Sequence, residues 1–192
     1  MISYDDARHT YSDDKGILPS VTQIIEAVGL RSTAFYKEGA ADRGKAIHRI
    51  LHEIDLGKSP DWREAEQYIG YIEAWTTLKG QLKEAQGYEV FTSECIGSHP
   101  QKRYAGTVDK VFRYGLDKYC IFDIKTGKKE KWHTLQVTAY TDMMRFTHME
   151  REWTMPHVAY LREDGTFIVE DCEEVLGVWD ACLKVYYFGR KS

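Results

Sequence analysis

The apolar run Tyr119-Cys120-Ile121-Phe122 leads straight into Asp123-Ile124-Lys125. Such a run reads as a strand, and on a strand Asp123 and Lys125, two residues apart, share one face. That face is not expected to be core, because two charges buried without partners are costly. Asp109, in Ala105-Gly106-Thr107-Val108-Asp109, lies 14 residues upstream of Asp123. Two strands joined by a turn bring both acids together. Two carboxylates and an ammonium converging on one cleft suit a hard cation held against a phosphate. A strand-end ion pair between Asp123 and Lys125 is the plainer alternative for the tripeptide alone.

The surrounding pattern gives a mixed α/β (α+β) chain. Residues 3–17 read as a small hairpin turning at Asp13-Asp14-Lys15-Gly16. Ser20 and Gln23 have capping-box spacing, and Val21, Ile24, Ile25 and Val28 form the stripe of a helix that Gly29 ends. Helices are expected over 33–56, with a break near Gly39, and over 62–85, with Tyr68, Ile69, Ile72 and Trp75 inside. Strands follow at 88–95, 103–114 and 118–126, then a turn at Gly127-Lys128-Lys129, a helix over 132–147, strands at 155–162 and 166–171, and a helix over 173–188. The expected architecture is one domain over 1–192. Residues 1–85 form a hairpin and helical annex carrying His48, and 86–192 form a mixed sheet flanked by helices.

Composition narrows the class. The 192 residues are 43% hydrophobic and 29% charged, as in globular proteins. No window approaches the roughly 18 apolar residues of a membrane span, and the first residues lack a signal-peptide pattern. A cytoplasmic protein is expected. Cys95, Cys120, Cys172 and Cys182 form no C-x-x-C pair, so they read as reduced thiols rather than a zinc ribbon. The net charge of −4 argues against a broadly basic coat. Between Gln101 and Lys131, however, nine bases face four acids, and Arg103, Lys128, Lys129 and Lys131 are the expected contacts to a polyanion.

Other residues cluster by spacing. Gly106 is expected to let a ligand approach the backbone. Lys125 is placed to stabilise charge on phosphorus or to activate water. Gln136 and Tyr140, four apart on one helix, point from the margin of its buried stripe toward the strand ends. His48 follows Arg43-Gly44, and the small Gly44 is expected to leave room for its imidazole. His52 lies four residues further on, so His48 and His52 are an alternative half of a zinc site, although no H-E-x-x-H is present. Glu94 is a candidate third carboxylate.

Taken in order, Arg43-Gly44-Lys45-Ala46-Ile47-His48, Gly106-Thr107-Val108-Asp109, Asp123-Ile124-Lys125-Thr126-Gly127 and Gln136-Val137-Thr138-Ala139-Tyr140 resemble the PD-(D/E)xK nuclease superfamily, in its RecB-like exonuclease branch. His9-Thr10-Tyr11 and Leu18-Pro19-Ser20-Val21-Thr22 look like the N-terminal segment of its phage members. Val108 stands where the pattern has its nominal proline, and the third acid is Asp123 rather than Glu.

The resemblance implies a restriction-endonuclease-like core and a Mg²⁺- or Mn²⁺-dependent deoxyribonuclease, an exonuclease of DNA recombination, repair or phage DNA processing. It implies metal ligation by His48, Asp109, Asp123 and the Ile124 carbonyl, with Lys125 catalytic and Gln136 and Tyr140 as the trailing motif. No iron–sulfur cluster is expected, since no cysteine precedes His48. The implied partners are DNA and either further copies of the chain or a recombination or single-strand-binding protein, in a bacterial or phage-infected cytoplasm. Two alternatives stand beside this: an inactive DNA-binding or assembly module of the same fold, and a zinc hydrolase using His48 and His52.

Overall fold

The computed structural model describes residues 2–5, 8, 10–32 and 39–190. His9 and the first part of the helix expected from residue 33 lie outside them. At the N-terminus β1 (Ser3–Asp5), β2 (Thr10–Asp13) and β3 (Gly16–Leu18) form a small antiparallel sheet. The β2–β3 hairpin closes Asp13 on Gly16, as the turn residues require. Helix α1 (Val21–Ala27) opens with the expected reciprocal cap. Ser20 Oγ accepts from Gln23 N–H at 3.1 Å, and Ser20 N–H donates to Gln23 Oε1 at 2.8 Å.

Helix α2 (Ala40–Asp55) starts after Gly39, whose φ of 75° marks the expected break. The third expected helix is divided. A short α3 (Trp62–Ala65) and a 3₁₀ turn at Glu66–Tyr68 precede α4 (Ile69–Gln86). The turn resets the helical phase, so Ile72 and Trp75 are buried while Ile69, expected inside, is 46% exposed. Gly70 packs directly on another backbone: a Cβ there would lie 1.7 Å from the Glu163 carbonyl oxygen.

The central sheet has six strands: β4 (Glu89–His99), β5 (Tyr104–Tyr114), β6 (Lys118–Lys125), β7 (Glu152–Trp153), β8 (His157–Leu161) and β9 (Phe167–Asp171). Their order is β4-β5-β6-β8-β9, with the short β7, absent from the sequence reading, also beside β6. The β4–β5–β6 meander is antiparallel, and β8 pairs with β6 in parallel after the crossover helix α5 (Trp132–Thr147). Helix α6 (Leu176–Phe188) closes the chain.

Mixed α+β architecture, with helices on both faces of a mixed sheet, is therefore what the chain builds. The N-terminal helices pack onto this sheet. Val21, Ile24 and Ile25 of α1 share a core with α5 and α6 on one face, and Ile47, Ile50 and Leu51 of α2 join Ile72 and Trp75 of α4 on the other. Cys120, Cys172 and Cys182 are buried, Cys95 is half-buried, and all four are free thiols. No helix among the described residues is long and apolar enough to cross a membrane.

Two glycines of α4 test this packing. Gly70→Ala is expected to destabilise by about 1–3 kcal/mol or more through overpacking. Gly80→Ala, where a Cβ meets nothing within 4 Å, is expected to stabilise by roughly 0.5–1 kcal/mol as an ordinary helix-interior change. Urea unfolding of both variants measures the difference.

Candidate functional site

The β5–β6 register ends at Lys110↔Phe122, so Asp109 and Asp123 stand opposite each other one position past the last ladder pair. Asp109 is locked there: the Ile124 N–H donates to its Oδ2 at 2.7 Å. Asp123 is fully buried, so the face expected to be non-core is interior, and its charges are tolerated because they have partners. Lys125 Nζ lies 2.5 Å from Asp123 Oδ2 and donates to Gln136 Oε1 at 2.8 Å. Gln136 Nε2 in turn donates to the Tyr140 hydroxyl at 3.0 Å. The Trp132 ring caps this chain, its centroid 5.4 Å from Lys125 Nζ. Gln136 and Tyr140 are both buried rather than marginal on α5.

Gly106 serves this arrangement differently from expectation. A Cβ there would lie 2.5 Å from Tyr140 Cε1, so the space it leaves holds the chain's own tyrosine, not a ligand. A Cβ at Gly44 would find its nearest neighbour in Thr126 Oγ1 at 4.0 Å, so this glycine borders the exit of β6 rather than making room for an imidazole.

Helix α2 brings His48 to the same end of the sheet. Its Nε2 lies 3.1 Å from the Ile124 carbonyl oxygen, an acceptor, so Nε2 carries a proton. Its Nδ1 lies 3.4 Å from Asp109 Oδ1 and 3.5 Å from Glu94 Oε1. Burial pushes the imidazole pKa down, but Asp109 and then Glu94 outweigh it and raise it to about 10. An imidazolium thus faces two carboxylates. Asp109 is held down to about 2: burial raises it, and His48, Lys125 and the Ile124 N–H overcome that. Asp123 moves the other way, up to about 7, through burial and the neighbouring Asp109, against the pull of Lys125.

Glu94 belongs to the group more closely than its sequence context signals. It has φ 53°, left-handed backbone inside β4, which for a non-glycine residue costs on the order of 1–2 kcal/mol. One ligand atom each from His48, Glu94 and Asp109 lies within 4.8 Å of the others. Asp123 Oδ1 is buried with neither a hydrogen bond nor an ion pair among the described residues, whereas Asp123 Oδ2 meets Lys125 and Glu94 Oε1 faces His48. A buried carboxylate oxygen without a partner is expensive unless something else binds it. Carboxylate oxygens with a single imidazole match Mg²⁺ or Mn²⁺. His52 stands outside this group, and its Nδ1 is buried without a hydrogen-bond partner.

The basic zone is largely neutralised. Lys102 pairs with Asp142 and Asp180, Arg103 with Asp13, Arg113 with Glu89, Lys118 with Glu152 and Lys129 with Glu170. Arg103, proposed for DNA contact, also precedes Asp109 by six residues, about 20 Å of strand. Lys110 is fully buried behind the site, 2.7 Å from Asp55 Oδ2, and donates to Ser93 Oγ at 2.6 Å. Alternation carried that signal, since Lys110 shares its strand face with the buried Phe112. No sequence pattern pointed to Asp55 or to Trp132 over Lys125.

No protein-family model matches the chain, and no curated protein matches it. Among solved structures it is similar to one described as the crystal structure of SSO0001, at 15% identity and a TM-score of 0.35, over 90% of this chain and 85% of that one. A likeness this weak carries no argument about activity.

Because a cation taken up here must displace the shared proton of His48, its apparent affinity is expected to rise with pH below about 10 and to flatten above it. Isothermal titration with Mn²⁺ in buffers of different ionisation enthalpy checks this: near pH 7 binding should release about one proton from His48 and part of one from Asp123, and the His48→Gln variant should release less.

Proposed function

We propose that the chain is a divalent-cation-dependent deoxyribonuclease of the PD-(D/E)xK type, hydrolysing DNA phosphodiesters as an exonuclease in a cytoplasmic setting. One observation carries this reading. Glu94, Asp109 and Asp123 converge with Lys125 and His48 at one end of the sheet, and Asp123 Oδ1 is buried with no hydrogen bond or ion pair among the described residues. An inactive binding module of the same fold has no need of buried acids held so close together.

Asp109, Glu94, Asp123 and His48 would hold Mg²⁺ or Mn²⁺, with the Ile124 carbonyl beside His48. A bound divalent cation supplies charge neutralisation at the phosphate and lowers the pKa of coordinated water. The rest falls to the chain. The Ile124 N–H fixes Asp109 so that its second oxygen faces His48. Lys125 presents its ammonium where negative charge grows on the phosphoryl oxygens, an electrostatic role that needs no proton transfer. Gln136 aims that ammonium and Tyr140 aims Gln136. Trp132 covers one side and keeps bulk water from screening the charge.

End-labelled single- and double-stranded DNA incubated with Mg²⁺, Mn²⁺ or EDTA tests the proposal. Hydrolysis is expected with either cation and not with EDTA, and Asp123→Ala should abolish it. Lys125→Ala should lower kcat on the order of 10²–10³-fold while retaining metal and DNA binding. Equal rates for wild type and Asp123→Ala would remove the site from the mechanism.

A further inference from the structure

With the paired charges set aside, Lys128 and Lys131 are the cations of the basic zone that have no ion pair among the described residues, and Lys128 stands beside the exit of β6. Lys125 is the partner of Tyr160 in the parallel β6–β8 register, so β8 lies one strand spacing, about 4.8 Å, from the site. Past Tyr160, a cleft of about 770 Å³ opens between the loop at Gly127–Lys129 and the ends of β8 and β9. Lys128, Lys129 and Arg162 line it, facing Glu170 and Asp171. Glu170 pairs with Lys129 at 2.5 Å. Asp171 Oδ1 lies 2.8 Å from His157 Nδ1, an imidazole whose pKa burial lowers, so Asp171 keeps its charge. Asp164, at the adjoining turn, accepts from the Thr166 N–H and hydroxyl.

Lys128 and Arg162 line the cleft with no ion pair among the described residues, although Arg162 also acts electrostatically on the Asp164 carboxylate. Both are exposed, while Tyr160, buried, forms a fixed wall with its hydroxyl 3.0 Å from His133 Nδ1. Ile168, 49% exposed, adds an apolar surface on the β9 side.

We propose that this cleft is a substrate subsite for the nucleotides flanking the scissile phosphate. Lys128 and Arg162 bind backbone phosphates there, and Ile168 lies against the sugar and base. The proposal rests on the nuclease reading above. A strand whose scissile phosphate sits at Lys125 continues over Tyr160 into the cleft, because that adjacent opening is lined by three cations against two carboxylates. Lys129, held by Glu170, serves the shape of the cleft more than its charge. A guanidinium and an ammonium on separate elements contact a flexible backbone without reading sequence, so the subsite adds affinity but no base preference.

Equilibrium binding of a fluorescein-labelled single-stranded oligodeoxynucleotide, followed by anisotropy across a salt series in EDTA, tests it without turnover. Each cation lost should flatten the slope of log affinity against log salt by about 0.7, so the Lys128→Ala, Arg162→Ala double variant should lose about twice that. Lys58→Ala, an exposed cation elsewhere, should leave the slope unchanged. Thermal melts of all variants should coincide, since the altered side chains are exposed. A double variant with the wild-type slope would overturn the subsite. Whether the wild type hydrolyses DNA is read in a separate assay, so failure of the nuclease reading is distinguishable from failure of the cleft. In that assay the double variant should raise KM on polynucleotide and leave kcat unchanged.

Discussion

One hydrogen bond organises the working end of the sheet: the buried Ile124 N–H to Asp109 Oδ2. It ties β5 to β6 where the two acids would otherwise drive the strands apart. One oxygen of Asp109 is thereby committed to the backbone, and the other faces His48. With Asp109 fixed, the remaining geometry is electrostatic. Three carboxylates stand in or beside a low-dielectric interior with an imidazolium and an ammonium, so the chain's own charges leave a negative excess. Asp109 is held to about 2 by His48, Lys125 and the Ile124 N–H, whereas burial first and the neighbouring Asp109 second raise Asp123 to about 7. The same carboxylates cannot both be ionised cheaply until more positive charge arrives.

Behind this front lies a second buried charge system that stiffens it. Asp55 at the end of α2 receives Lys110 from β5 and Lys79 from α4, while Lys110 also reaches Ser93, the residue before Glu94. The helix that carries His48 and the strands that carry Glu94 and Asp109 are therefore joined by ions as well as by apolar packing. Such pairs are poor sources of net stability, but removing one member would leave the others buried and under-compensated. On the opposite side Tyr140 lies in the space left by Gly106, which couples α5 to β5 and sets the position of Gln136 and Lys125.

Much of this was legible in the sequence where the signal was local. The Ser20/Gln23 cap, the α5 limits, the β5–β6 pairing and the shared face of Asp123 and Lys125 all follow from spacing. The phase of α4 was not legible, because a 3₁₀ turn too short to leave a pattern shifted Ile69 outward. Burial of Asp123 is not legible in its strand, because its partner Lys125 is held inside by Gln136 and Trp132 of another element. The basic zone follows the same rule: Asp13, Asp55 and Glu170, distant in sequence, pair with cations that look free on paper. Glu94 was visible only as one acid in a strand, and its backbone strain and its proximity to His48 are tertiary facts.

The account stands most directly on where a cation binds. Anomalous scattering from crystals soaked in Mn²⁺ should show a peak bonded to Asp109 and Glu94, with His48 turned from the Ile124 carbonyl or sharing the ion and Asp123 adjacent. A peak whose ligands exclude both Asp109 and Asp123, or no peak at saturating Mn²⁺, would contradict it.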